Sequence, residues 1–91
     1  MRIASARDLG LYVRERRRDL GRNQTDLAAA ARVSRRWLSD LEAGKATAEI
    51  GLVLRTLDAL DLVLTAQPRE DLESGGVDLD DLLRKLGGSG E

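Results

Sequence analysis

The stretch from Asn23 to Gly44 constrains the fold most strongly, because its spacing fits two short helices that meet at a tight corner. Asn23 is a helix-capping residue, and Asp26 three positions later completes a capping box. Apolar residues then recur at helical spacing and predict a buried face made of Leu27, Ala28 and Ala31. Ala28 lies where two helices would cross, so a larger side chain there would push them apart.

Arg32-Val33-Ser34 is predicted to form a tight corner, and a second helix follows it. Val33 plugs the junction between the two helices, and Ser34 caps the second one. This second helix directs Leu38 and Leu41 inward and a polar face outward, composed of Arg35, Arg36, Ser39 and Asp40. A short helix, a three-residue turn and a polar-faced second helix have the geometry that places side chains in the major groove of DNA.

The buried, capping and polar positions of this stretch resemble, in the same register, those of the Xre/Cro-repressor helix-turn-helix family. The resemblance is carried by Gln24, Leu27-Ala28, Val33-Ser34-Arg35, Leu38-Ser39, Leu41-Glu42 and Gly44. It implies a mainly α, lambda-repressor-like domain of four to five helices. One position departs from the family, because Arg32 occupies the corner where a glycine is usual. A non-glycine residue in a left-handed conformation costs roughly 1 kcal/mol, so the corner is either slightly strained or differently shaped.

DNA contacts are predicted along and beside the second helix of the motif. Gln24 either donates to a phosphate or braces the second helix, and the helix N-terminus beside it supplies free amides. Arg35 and Arg36 are the candidates for base contacts, since arginine reads guanine through two hydrogen bonds; the alternative is phosphate neutralisation without sequence readout. The predicted DNA-binding residues are Gln24, Thr25, Ser34, Arg35, Arg36, Trp37, Ser39 and Lys45.

Three residues of the motif have more than one interpretation. Trp37 either packs on a thymine methyl or a sugar or covers the edge of the core, and we favour the core edge. Glu42 is expected to pair with Arg16 or Arg17 and orient the first helix, and an exposed pair would contribute about 0.2–1 kcal/mol. Asp40 either repels phosphate at wrong sequences or accepts from cytosine N4.

The composition argues against catalysis. The 91 residues contain neither Cys nor His, so thiol chemistry is absent and the commonest general base and metal ligand is missing. Nothing is spaced to suggest a Ser–Lys or carboxylate site, and we expect no enzyme, metal or cofactor. No apolar run approaches the length of a membrane span and no signal peptide is evident, which predicts a cytoplasmic protein. The family resemblance implies that it is bacterial and associated with the nucleoid.

The net charge of −1 conceals a division of charge along the chain. Residues 1–45 contain eleven Arg and Lys against six Asp and Glu, a net of +5. Residues 67–91 contain three against seven, a net of −4. The basic part coincides with the helix-turn-helix, as a phosphate-binding surface requires.

Two further helices are predicted on either side of the motif. Ser5 and Asp8 form a capping box, Gly21 ends the first helix, and its core stripe is Leu9, Val13 and Leu20 with Tyr12 alongside. Its basic residues form either a solvated face or a set of phosphate contacts, namely Arg14, Arg16, Arg17, Arg18 and Arg22. Thr47 is expected to cap the last helix, with an apolar face of Ile50, Val53, Leu54 and Leu57.

The apolar run Asp61–Ala66 predicts a short β-strand that ends before Pro68. A lone strand exposes unpaired backbone groups, and Arg2-Ile3-Ala4 would pair with it only weakly. The economical solution is pairing with the same strand of a second copy, through Leu62, Val63, Leu64 and Thr65. The alternative is that Leu60 to Leu64 merely extends the preceding helix.

This order of helices and terminal strand resembles the HipB-like branch of antitoxins, over about residues 3–67. The resemblance implies a homodimer on a palindromic operator in double-stranded DNA, autorepression, and a HipA-like kinase toxin as partner. The alternatives are a stand-alone phage-type regulator without a toxin and an interaction adaptor that does not use DNA.

The C-terminal part is predicted to be separate from the domain. We assign residues 1–67 to a DNA-binding and dimerisation domain and residues 68–91 to an acidic linker and short amphipathic tail. Leucines at helical spacing either bind a partner, dock on the domain or fray in solution, and they are Leu79, Leu82, Leu83 and Leu86.

Overall fold

The computed structural model describes residues 2–69; Met1 and residues 70–91, with the predicted tail leucines, lie outside the described part. Four helices follow one another: α1 (Ala6–Asp19), α2 (Gln24–Ala31), α3 (Arg35–Glu42) and α4 (Ile50–Ala59). α1 packs on α3, and α2 packs on both α3 and α4. This arrangement confirms the predicted mainly α, helix-turn-helix fold.

Three of the four predicted helix starts are confirmed by side-chain caps. The side-chain oxygens of Ser5, Asn23 and Ser34 accept the backbone N–H three residues further on, as capping requires. The fourth prediction is wrong, because α4 begins at Ile50 and Thr47 lies in the preceding loop. Glu49 precedes α4 and provides no side-chain cap.

A residue with a positive φ follows the end of each helix. Its N–H, and the N–H of the residue after it, donate hydrogen bonds to carbonyls in the last turn of the helix. Two of these residues are glycines and two are not: they are Gly21, Arg32, Gly44 and Asp61. Arg32 adopts φ 58° and ψ 47°, so the motif keeps the left-handed corner in spite of its side chain. The strained alternative for this corner is therefore the observed one.

Arg55 of α4 braces that corner from outside the motif. Its Nε donates to the carbonyl of Ala31 at 3.1 Å, and its guanidinium also donates to the carbonyl of Arg32. These carbonyls belong to the end of α2, where intrahelical partners are missing. The charged hydrogen bonds thus satisfy the last turn of α2 and offset the strain at Arg32.

The core is an apolar cluster that draws on all four helices and comprises Val13, Leu27, Ala28, Leu38, Leu41, Val53, Leu57 and Leu60. Three residues expected in it are exposed instead: Leu20, Ile50 and Leu54. Leu20 lies beyond the last turn of α1, where the chain reverses. The inward face of α4 runs through Val53, Thr56, Leu57 and Leu60, which turns Ile50 and Leu54 outward. Thr56 is accommodated because its hydroxyl donates to the Leu52 carbonyl at 2.8 Å.

The closest helix contact is made by Gly10 of α1. A Cβ there would lie 2.8 Å from the carbonyl oxygen of Glu42 and closer still to that of Leu41. Both atoms belong to the α3 backbone, which cannot rotate away as a side chain can. Gly10 therefore sets the distance between α1 and α3.

The segment after α4 does not continue the helix. α4 ends at Ala59, and the left-handed Asp61 (φ 56°) turns the chain away, so the helix-extension alternative is wrong. Leu60 is fully buried and Leu62 packs on the core, whereas Val63 and Leu64 are exposed. Within residues 2–69 of the single chain no strand forms, and pairing of this segment with a second copy stays a prediction. No described helix is long and apolar enough to cross a membrane.

The contact at Gly10 makes a prediction with a matched control. Gly10→Ala should lower the free energy of unfolding by about 1–3 kcal/mol or more, since the added methyl overlaps backbone oxygens. Gly51→Ala should be neutral or stabilise by about 0.4–1 kcal/mol, because its Cβ would meet only a glutamate oxygen at 3.9 Å. Urea denaturation measures both, and equal effects would contradict the proposed close approach.

Candidate nucleic-acid interface

The outer face of α3 carries the side chains predicted to reach DNA. Arg35, Arg36 and Ser39 are exposed, and 88% of the Arg36 side-chain surface is accessible. Leu38 and Leu41 on the opposite face are buried in the core. α3 therefore has the predicted polar outer face and apolar inner face, and its arginines are free to approach a ligand.

A buried ion pair fixes α3 against α1. The guanidinium of Arg17 forms two hydrogen bonds to the Glu42 carboxylate, Nε to Oε2 at 2.8 Å and an Nη to Oε1 at 2.9 Å. Less than a tenth of either side chain is accessible to solvent. This pair confirms the predicted partnership of Glu42, but the small contribution expected of an exposed pair does not apply, because removing one partner would leave a buried charge.

Gln24 extends this pair to α2. Its side-chain amide donates to Glu42 Oε1 at 3.2 Å, so one carboxylate receives donors from both α1 and α2. Of the two roles predicted for Gln24, the structure shows the bracing of α3. The hydrogen bonds and charge of Glu42 raise the pKa of Arg17 above its ordinary value despite desolvation, so the guanidinium stays charged.

The exposed end of α3 carries a second, weaker group of charges. Asp40 lies 3.7 Å from Arg36 Nε and 3.9 Å from Lys45 Nζ. Both pairs are largely exposed and contribute little to stability. Asp40 therefore neutralises part of the positive charge beside Arg36 and Lys45 in the free protein, and an incoming phosphate competes with it.

The remaining predicted contacts surround α3. Thr25 is exposed on the first turn of α2, and Ser34 is exposed at the corner, where its hydroxyl caps α3. Trp37 is half-buried and packs on the apolar cluster, which is the core-edge position that we favoured. Contact of these residues with DNA stays a prediction.

The five arginines that the sequence analysis considered together fall into two groups in the structure. Three of them bond within the protein: Arg17 to Glu42, Arg16 Nε to the Leu60 carbonyl at 3.0 Å, and Arg22 to the Ala59 carbonyl at 2.7 Å. The latter two hold the end of α4 against α1, at carbonyls that the helix leaves without partners. Arg14 and Arg18 are exposed and form no such bond among the described residues.

A cleft of about 390 Å³ lies beside α3 on the α1 side. Arg14 and Arg18 line it together with Gln24 and Ser39, two of the predicted DNA contacts, and with the Arg17–Glu42 pair. From the sequence, Arg14 and Arg18 could be identified only as members of a basic cluster, because nothing local separates them from the other arginines. The described residues contain no group of acidic side chains arranged to hold a metal ion.

Comparison with protein families identifies the class. A family model described as "Helix-turn-helix domain" matches residues 8–72, and the chain belongs to this family. The protein is a DNA-binding helix-turn-helix transcriptional regulator. Members of this family are regulators and not enzymes. An uncharacterized HTH-type transcriptional regulator, y4mF of Sinorhizobium fredii, is 46% identical over 59 residues, which cover 65% of this chain and 78% of that protein.

Solved structures with the same fold include HipB complexes. A HipB–O4 20mer complex superimposes with a TM-score of 0.70 at 20% identity, covering 75% of this chain and 96% of HipB. A HipB variant in complex with the O2 20mer gives the same TM-score and identity, as does a structure called MDT Protein. At 20% identity these similarities establish the fold.

The buried pair makes a prediction about stability. Arg17→Met should lower the free energy of unfolding by about 3–5 kcal/mol, because it leaves the Glu42 carboxylate buried without its cation. The double variant Arg17→Met/Glu42→Leu should recover most of that loss, since apolar residues replace both charges. Asp40→Asn, which breaks exposed pairs, should stay within about 1 kcal/mol of the wild type. A double variant as unstable as Arg17→Met alone would show that the charge itself is not the cause.

Proposed function

We propose that this regulator is a sequence-specific repressor that binds a palindromic operator as a homodimer in the bacterial cytoplasm, associated with the nucleoid. The observation that carries the proposal is the exposed polar face of α3, held from behind by the Arg17–Glu42 pair. A rigidly held helix with two exposed arginines suits base reading in the major groove. The net charge of +5 over residues 1–45 suits the phosphates on either side.

Dimerisation is proposed to use the segment Leu62–Thr65. Val63 is 86% exposed and Leu64 54%, a large apolar exposure for consecutive residues. They line a groove of about 830 Å³ with Ile3 and Tyr12, and the described backbone of residues 63–66 forms no main-chain hydrogen bonds. Antiparallel pairing with a second copy would satisfy these backbone groups and cover the apolar side chains. A palindromic operator with half-sites one turn of DNA apart requires the two α3 helices of the dimer to lie about 34 Å apart.

The groove makes a prediction about assembly. Leu64→Asp should abolish the dimer in sedimentation equilibrium, because a carboxylate would enter the paired apolar segment. Leu54→Asp on α4 is the matched control, since Leu54 is 46% exposed and lies outside the groove, and it should remain dimeric. A dimeric Leu64→Asp variant, or a monomeric Leu54→Asp variant, would place the interface elsewhere.

Base reading by α3 is tested with Arg35 and Arg36. Selection of bound duplexes from a random pool should give the wild type a defined consensus, and Arg35→Ala/Arg36→Ala should lose about 1–3 kcal/mol per base contact. Arg35→Lys/Arg36→Lys keeps the charge but loses the two-pronged geometry, so it should bind with a relaxed consensus. An unchanged consensus in the alanine variant would refute base reading by these residues.

The finer proposal is that the repressor is an antitoxin that neutralises a HipA-like kinase and represses its own operon. The HipB-like fold supports it, and the proposed toxin-binding residues are Leu79, Leu82, Leu83 and Leu86, outside the described part. The alternative is a stand-alone regulator without a toxin, and the similarity to y4mF, an uncharacterized transcriptional regulator, agrees with either role. Co-expression with the product of the adjacent gene decides: the antitoxin should co-purify with a kinase and suppress its activity.

A further inference from the structure

We propose that Arg14 and Arg18 form a phosphate-binding site on α1 that contacts the DNA backbone beside the recognition helix. The inference rests on the proposed function, because it needs a bound duplex. It adds two residues to the DNA-contacting surface that lie outside the helix-turn-helix motif. It also assigns different roles to arginines that are adjacent in sequence.

The first argument comes from the hydrogen bonds of α1 and the turn after it. Arg16, Arg17 and Arg22 donate to carbonyls or to Glu42, and these bonds hold α1 to α3 and α4. The side chains of Arg14 and Arg18 form no hydrogen bond and have no carboxylate within salt-bridge distance among residues 2–69. Fold stability therefore accounts for three of the arginines and leaves these two without a structural task.

The second argument is electrostatic. Arg14 and Arg18 are one helical turn apart, and like charges at this spacing destabilise a helix by a few tenths of a kcal/mol. The nearest buried carboxylate, Glu42, is already neutralised by Arg17 with two hydrogen bonds. Two guanidinium groups at one cleft without a counter-charge create a positive potential there, which an anion relieves.

The third argument is position. The cleft that these arginines line has Gln24 and Ser39 on its other side, from the N-terminus of α2 and the outer face of α3. A helix in the major groove lies between two phosphate backbones, since the groove is only about 12 Å wide. α1 packs directly on α3, so side chains exposed at their boundary lie next to one of these backbones. Arginine is well suited to phosphate because its planar fork donates two parallel hydrogen bonds.

The test measures how binding of a mixed-sequence DNA duplex depends on salt, using fluorescence anisotropy and the full chain. The slope of log K against log salt should become less steep by about 0.9 for each lost phosphate contact, in Arg14→Gln and in Arg18→Gln. The double variant should lose about twice that, and Arg14→Lys/Arg18→Lys should keep most of the slope. Arg7→Gln removes the same charge from the exposed surface of the first turn of α1, outside both the cleft and the proposed dimer groove, and should leave the slope unchanged.

The outcomes separate this inference from the proposed function. Wild-type binding that is insensitive to salt would overturn the proposed function and this inference with it. A normal wild-type slope, unchanged in the double Gln variant, would overturn the arginine site alone. Thermal unfolding provides the check on folding, because both side chains are exposed and unbonded and their loss should leave the melting temperature unchanged or raise it. Equal slope losses in Arg7→Gln and Arg14→Gln would show that only the overall charge matters, and would also refute the site.

Discussion

The buried Arg17–Glu42 pair connects the three helices that form the candidate interface. It joins the last turn of α1 to the end of α3, and Gln24 adds α2 through the same carboxylate. Burial makes the pair sensitive to loss of either partner, so it holds the helices in one arrangement. The recognition helix is thereby fixed at its inner side, and its outer arginines need no structural bonds. Rigid support behind a free polar face is what accurate reading of DNA requires.

Arginine is used throughout this chain to complete helix ends. Arg16 and Arg22 donate to the last carbonyls of α4, and Arg55 donates to those of α2. Two helices end at a left-handed residue that is not glycine, and these bonds stabilise both ends. The clearest case is Arg32 at the end of α2. The small apolar core is thus supplemented by charged hydrogen bonds from one helix to the end of another. The basic composition of the N-terminal half therefore has a role in folding, besides the phosphate binding that we propose.

Short sequence patterns correctly predicted the helix starts that depend on interactions within a single turn. Ser5, Asn23 and Ser34 were identified as caps because a cap satisfies amides within its own turn. Periodicity was less reliable for α4, where Ile50 and Leu54 fit an apolar face but the fold buries Thr56 instead. In that case the partner helix decided which face turns inward, and no pattern within α4 records it.

The contacts that position the interface could not be derived from the sequence alone. Gly10 has no local signal for a helix crossing, since a glycine in a helix usually marks only flexibility or a helix end. Arg55 and the corner it braces are separated by more than 20 residues. The division between structural arginines and those at the cleft also depends on carbonyls supplied by α4. These features arise from tertiary packing, which brings distant groups within hydrogen-bond distance.

In the proposed dimer, two copies of this chain present their α3 helices one DNA turn apart. The chain has no cysteine, so Ser39→Cys provides a single spin-label site on the exposed face of α3. Pulsed electron paramagnetic resonance on the free protein should give a distance centred at about 34 Å between protomers. A distribution without an intermolecular distance, or one centred far from a DNA turn, would contradict the account.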